Sequence, residues 1–149
     1  EDMFNRIREV FKVGRMIRVE STCGGYMHHA GTTAGVLVEI EGGNDDAAKD
    51  VSMHIAAMRP ESLSKDSIDP AVVASEREVL LEAAIAEGKP QNIAEKMVDG
   101  RMQKFYAERC LLEQPFVKDD KQSVGEYAKA NGMTVKNYWH WVVGEKVDA

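Results

Sequence analysis

Apolar and polar positions recur along this chain with two periods, and the change from one to the other predicts its elements. In IAEKMVDGRMQKFYAERCLLEQPFV, residues 93–117, the side chains of Ala94, Met97, Val98, Met102 and Phe105 return at steps of three and four. That spacing places them on one face of a helix. Gly100 interrupts the stripe; a mid-helix glycine costs roughly 1 kcal/mol against alanine, so it is expected to permit a close helix approach. Pro115 lacks a backbone donor and biases Gln114 away from helical dihedrals, so the helix is expected to stop before Gln114.

A second helix precedes it. Asp69-Pro70 is a start signal with the cap ahead of the proline, Val73, Leu80 and Ala84 repeat at helical spacing, and Gly88 ends the run. Only Lys89 and Pro90 then separate the two helices, which forces them to fold back antiparallel and seal their apolar stripes together. The expected result is a protruding, coiled-coil-like helical hairpin over residues 69–113. Val72, Leu81 and Ile85 are left outward on it, and self-association through them is the expected way to cover them.

Elsewhere the period is two. Ala34, Val36, Val38 and Ile40 alternate with Gly35, Leu37 and Glu39, and apolar residues on both faces predict a strand in the sheet interior. Tyr138–Val143 reads as another strand, with Trp139, Trp141 and Val143 on one face and Tyr138, His140 and Val142 on the other. RMIRVES, residues 15–21, suits a strand by its β-branched content, Thr22–Gly25 suits a turn, and Tyr26–His29 begins a short strand or arm. Between these lie three helical patterns. Met3, Ile7, Val10 and Phe11 read as a helix tail ending near Lys12. Asn44 caps a helix with Asp45 and Asp46 at its positive end and a stripe of Val51, His54, Ile55 and Met58, stopped by Arg59-Pro60. Ser123 and Glu126 form a capping box for a helix closed by Asn131-Gly132. The polar stretch PESLSKDSID connects the lobes. The fold class is therefore α+β: a small antiparallel sheet packed with helices over residues 1–60 and 114–149, carrying the hairpin.

Composition narrows the function. At 149 residues with 44% hydrophobic and 30% charged residues the chain can bury a core, and it contains no apolar run approaching the ~20 residues a bilayer span requires. A net charge of −6 argues against holding nucleic acid by neutralising phosphates. Cys23 and Cys110 fit no C-x-x-C spacing and are expected to be reduced thiols, with a disulfide between them left open. Cys23, His28 and His29 suggest a metal site, but adjacent strand residues point to opposite faces, so His28 and His29 cannot easily share an ion. His54, on an apolar stripe, is expected to be a hydrogen-bonded structural histidine. No glycine-rich phosphate cradle and no nucleophile–base pattern stands out, so neither cofactor nor covalent catalysis is expected. Glu1 is not an initiator methionine, so a processed form or a piece of a longer chain, cut by design or by processing, is expected.

Four separated stretches carry a family resemblance. GGYMHHAGTTAGVLVEIEGG, VSMHIAAMRPESL, EKMVDGRMQKFYAERCLLEQPFVKDDKQSV and WHWVVGEK resemble, in order, segments of translation elongation factor Ts. Members of that family promote GDP release from elongation factor Tu by protein contact, acting as guanine nucleotide exchange factors rather than enzymes. The resemblance is to the C-terminal, dimerisation-containing part; the Thr-Asp-Phe-Val motif and helical bundle of the family's N-terminal half are absent from this sequence. By position, it implies that Tyr26, His28, His29 and Gly31 belong to the turn facing elongation factor Tu, with Thr33 and His140 beside them. It implies that the hairpin, with Val72, Leu81 and Ile85, serves a homodimer, that no nucleotide, nucleic acid or membrane is bound directly, and that the setting is a bacterial cytoplasm or an organelle. Two departures matter: the family commonly has arginine where Thr33 and His140 stand. They motivate a second expectation, a structural or assembly module of the same fold without exchange activity.

Overall fold

The strand predicted from Ala34–Ile40 is the centre of the molecule. The computed structural model describes residues 6–10 and 12–146. Its elements are β1 (Cys23–His28), β2 (Ala34–Gly42), α1 (Asp45–Met58), α2 (Pro70–Ala86), α3 (Gln91–Arg109), β3 (Pro115–Phe116), β4 (Asp119–Ser123), α4 (Val124–Ala130) and β5 (Met133–Val142). β2 lies between β1 and β5, antiparallel to both, so the sheet unites strands from opposite ends of the chain. The small β3–β4 pair is a separate ribbon. The fold is α+β.

Alternation on β2 sends Ala34, Val36, Val38 and Ile40 to one buried face, where α1 covers them with Ala47, Ala48, Val51 and Ile55. β5 joins that face through Met133, Val135, Tyr138, His140 and Val142. Its register shifts between Glu39 and Ile40, which pair with Asn137 and Val135, so Lys136 is the extra residue of a bulge. Without it every side chain beyond would change faces. Phe116, Val124 and Ala128 close the core from the other side of α1.

The expected caps are present. Asn44 Oδ1 accepts from the Ala47 N–H at 2.9 Å, Asp69 Oδ1 from Ala71 at 2.8 Å, and Ser123 and Glu126 exchange the reciprocal bonds of a capping box. α2 and α3 turn back on each other, Gly88 being in the left-handed region at φ 78°. Ala84, Ala94, Val98, Met102 and Phe105 are buried between the helices, with Val73, Leu80 and Leu81 packed beside them.

Several expectations need correction. Arg6 and Ile7 are helical, but the backbone of Arg8 turns left-handed at φ 58°, so no helix reaches Lys12; Met3 and Phe11 lie outside the described residues. Residues 15–21 form no strand, for want of a ladder partner among the described residues. Thr22–Gly25 is not a turn, because Gly24 and Gly25 lie within β1. Gly24 is there for space: a Cβ on it would sit 2.4 Å from the Cβ of Ala48. Met58 is 47% exposed rather than part of the buried stripe. β5 begins at Met133, well ahead of Tyr138. α3 does stop before Gln114 as expected, at Arg109, and a 3-10 turn over Leu111–Glu113 leads on to Pro115.

Gly100 is also corrected. It is exposed, and a Cβ there would meet nothing within 4 Å, so no close approach requires it. Gly100→Ala is expected to raise stability by about 0.5–1 kcal/mol in urea denaturation, because alanine favours a helix interior and narrows the unfolded ensemble.

Candidate functional site

α1 begins over β1, where Ala48 touches Gly24, and its last turn brings Arg59 beside His140. The far end of the sheet extends past it. There the ladder sets Tyr26, Val36 and His140 in one row and His28, Ala34 and Val142 in the next. The turn joining β1 to β2 closes this end with Gly31 at φ 80°, and the Thr33 carbonyl accepts from the Val143 N–H at 2.8 Å. Tyr26, His28, His29, Gly31, Thr33 and His140 are therefore neighbours in space. β1 ends at His28, short of the expected His29; His28 is half-buried and 3.4 Å from the Tyr26 hydroxyl through Nδ1, whereas His29 lies beyond the strand and is exposed.

His140 differs from the rest. Its Nε2 is buried and has no hydrogen-bond partner among the described residues. Burial first and the nearby Arg59 charge second push its imidazole below the ordinary histidine value, keeping it neutral. Tyr138, two positions earlier on the same face, donates its hydroxyl to the Pro60 carbonyl at 2.7 Å. Its pKa is pushed up to about 12, chiefly by burial and then by Cys110 and Glu61.

The opposite sheet face carries Leu37, Trp139 and Trp141. Residues 12–17 lie against it, the Arg15 guanidinium sitting 4.8 Å from the Trp141 ring centroid and pairing with Glu145. A cavity of about 610 Å³ remains beneath that segment.

Met58 and Arg59, read from the sequence only as the end of a helix, are both exposed at this end. On the hairpin, Val72 and Ile85 are 47% and 51% exposed. Leu81, expected outward, is part-buried against Val98 and its neighbours. Both cysteines are free thiols, Cys110 buried and Cys23 half-buried. His54 is the hydrogen-bonded structural histidine expected, its Nε2 2.9 Å from Gln114 Oε1 and its Nδ1 3.1 Å from the Val117 nitrogen.

Fold and site together define an α+β protein with a three-stranded sheet, a helical pair and a mixed polar and aromatic surface at one sheet end. Residues 1–145 match the family described as Elongation factor TS. The chain belongs to that family of translation elongation factors. Its relatives named elongation factor Ts include those of Alkalilimnicola ehrlichii, 43% identical over 148 residues covering 97% of this chain and 50% of the relative. The Cellvibrio japonicus protein is 43% identical over 149 residues, covering 99% and 51%. That of Hydrogenobaculum sp. is 41% identical over 139 residues, covering 93% and 50%. The chain thus spans about half the length of these relatives. Among the described residues no helix is long and apolar enough to cross a membrane.

Proposed function

We propose that this chain is the part of an elongation factor Ts that contacts elongation factor Tu, contributing to nucleotide exchange by protein contact rather than covalent chemistry. The observation that supports the reading best is the gathering of Tyr26, His28, His29, Gly31, Thr33 and His140 at one sheet end in a chain of this family. An exchanger works by binding its nucleotide-free partner more tightly than the GDP-bound one, so a rigid surface presented by a sheet suits the task. The hairpin over 69–113 is assigned to self-association through Val72 and Ile85 with Leu81 beneath, and the sheet-and-helix lobe over 1–60 and 114–149 to partner contact. The setting is a bacterial cytoplasm or an organelle.

The purified chain is expected to co-elute with nucleotide-free elongation factor Tu, and replacing His28 and His29 together by alanine is expected to weaken that association at least tenfold, or about 1.4 kcal/mol. Unchanged binding of the double variant would remove the assignment. Because the Thr-Asp-Phe-Val motif is absent, release of fluorescent GDP should be accelerated weakly at most by this chain alone.

The buried Nε2 of His140 favours one alternative, a module of the same fold that has lost recognition of elongation factor Tu. Installing arginine at Thr33 and His140 discriminates between them: binding gained from nothing supports the alternative.

A further inference from the structure

Arg59 is a non-glycine residue in left-handed backbone, at φ 47° and ψ 58°. It caps α1, its N–H donating to the Ile55 carbonyl at 2.9 Å. Residues with a Cβ avoid that region, and glycine or asparagine is the usual occupant. The residue that follows is anchored: Pro60 is buried, and its carbonyl accepts from the Tyr138 hydroxyl. The side chain is left free, exposed and without hydrogen bond or ion pair among the described residues.

It stands at a groove of about 650 Å³ between residues 59–63 and β5, lined also by Glu61, Lys136, Tyr138 and His140. The other charges there are balanced. Glu61 is engaged by Arg109 at 2.6 Å and Lys136 by Glu41 at 2.6 Å. His140 is neutral, as argued above. The uncompensated charge of the groove is therefore the Arg59 guanidinium, on a chain whose net charge is −6. A locally positive groove on an acidic protein is complementary to an acidic partner segment.

We propose that Arg59 is a specificity-determining contact residue whose guanidinium receives a carboxylate from an acidic segment of the protein partner. The proposal rests on the reading of this sheet end as the surface that meets elongation factor Tu, and adds to it the charge that chooses the docking register. A planar guanidinium pairs a carboxylate through two parallel N–H donors, which fixes orientation as well as affinity. The left-handed backbone then has a reason to be kept: strain of this kind persists where function needs the side chain.

Glycine at this position separates the two roles, because it removes the charge and relieves the backbone together. In the full chain, Arg59→Gly is expected to raise the melting temperature by about 2–4 °C. It is expected to weaken binding to nucleotide-free elongation factor Tu about tenfold, with a shallower dependence on salt. Arg59→Lys should keep part of the affinity, and Arg59→Glu should lose more than glycine does. Native affinity in Arg59→Gly overturns the contact while leaving the sheet-end reading intact, and a lowered melting temperature shows Arg59 to be structural and overturns it too. Absence of binding by the unaltered chain overturns both.

Discussion

His54→Ala is expected to lower the unfolding free energy by about 2–4 kcal/mol, measured by urea titration at neutral pH, which is large against the 5–15 kcal/mol of a typical domain. The imidazole is fully buried and uses both nitrogens: Nδ1 accepts from the Val117 N–H and Nε2–H donates to Gln114 Oε1. Gln114, itself buried, passes the connection on by donating from Nε2 to the Glu108 carbonyl at 3.0 Å. Alanine strands these groups in a dry interior. Because the two side chains act as one unit, a double-mutant cycle with Gln114→Ala should show a coupling of roughly 1–2 kcal/mol.

The same residue sets an acid limit. Burial outweighs the Gln114 bond and pushes the imidazole below its ordinary 6.5. The unfolded chain takes up that proton near 6.5 while the folded chain resists it. The stabilisation is thus complete above about 6.5, starts to decline as pH falls through that value and is lost once it passes the depressed folded one, at up to about 1.4 kcal/mol per pH unit. His140 is shifted in the same direction, so the unaltered chain carries both contributions and His54→Ala should show a shallower slope. Glu41 and Glu126, held below 4.5 by Lys136 and by Ser123, lose their shares at lower pH. Denaturation between pH 7 and 5.5 therefore reads the imidazoles, and a flat profile there would contradict the assignment.

Phe116→Ala is expected to cost more, about 3–5 kcal/mol. The ring is 2% exposed, stacked on Tyr127 with centroids 4.1 Å apart and 5.9 Å from that of His54. It fills the space between α1 and α4, which cannot close over the vacancy, because Asp50 ties the two helices through Tyr127 and also binds Lys118 at 2.5 Å. The urea midpoint should fall with the slope of the transition unchanged. A loss under 1 kcal/mol would mean that the neighbours collapse inward.

What could be read from the sequence was what local physics decides. Asn44, Asp69 and Ser123 cap their helices through atoms two or three residues away, and the alternation of Ala34–Ile40 follows from burial of one face. Long-range features were hidden. Gly24 looks like a turn residue until Ala48 is laid against it, and the stretch 15–21 has strand composition but no neighbour to pair with among the described residues. Leu81 was placed on the wrong side because α2 is apolar nearly all round, so its pattern does not choose a face. Lys136 gives no hint of a bulge, and a buried Gln114 makes sense only once His54 is opposite it. The site followed the same rule. Tyr26 and His28 share a face by alternation, but only the family resemblance joined them to His140, and Arg59 escaped because its backbone region is invisible in the letters.

The hairpin begins and ends at one place. Glu61 and Ser62 donate to the Arg109 carbonyl at 2.9 and 3.1 Å, and Leu111 and Leu112 donate back to Ser62 and Leu63 at 2.8 and 3.1 Å. These four bonds form a collar through which the chain leaves the sheet lobe and returns. Doubling the length of a flexible excursion adds only about 0.6 kcal/mol to closing it, so β5 reaches β2 almost independently of how much chain lies beyond the collar. The helical pair is in effect an arm of adjustable reach: turns can be added to or removed from both helices without altering the sheet end that carries His28 and His29.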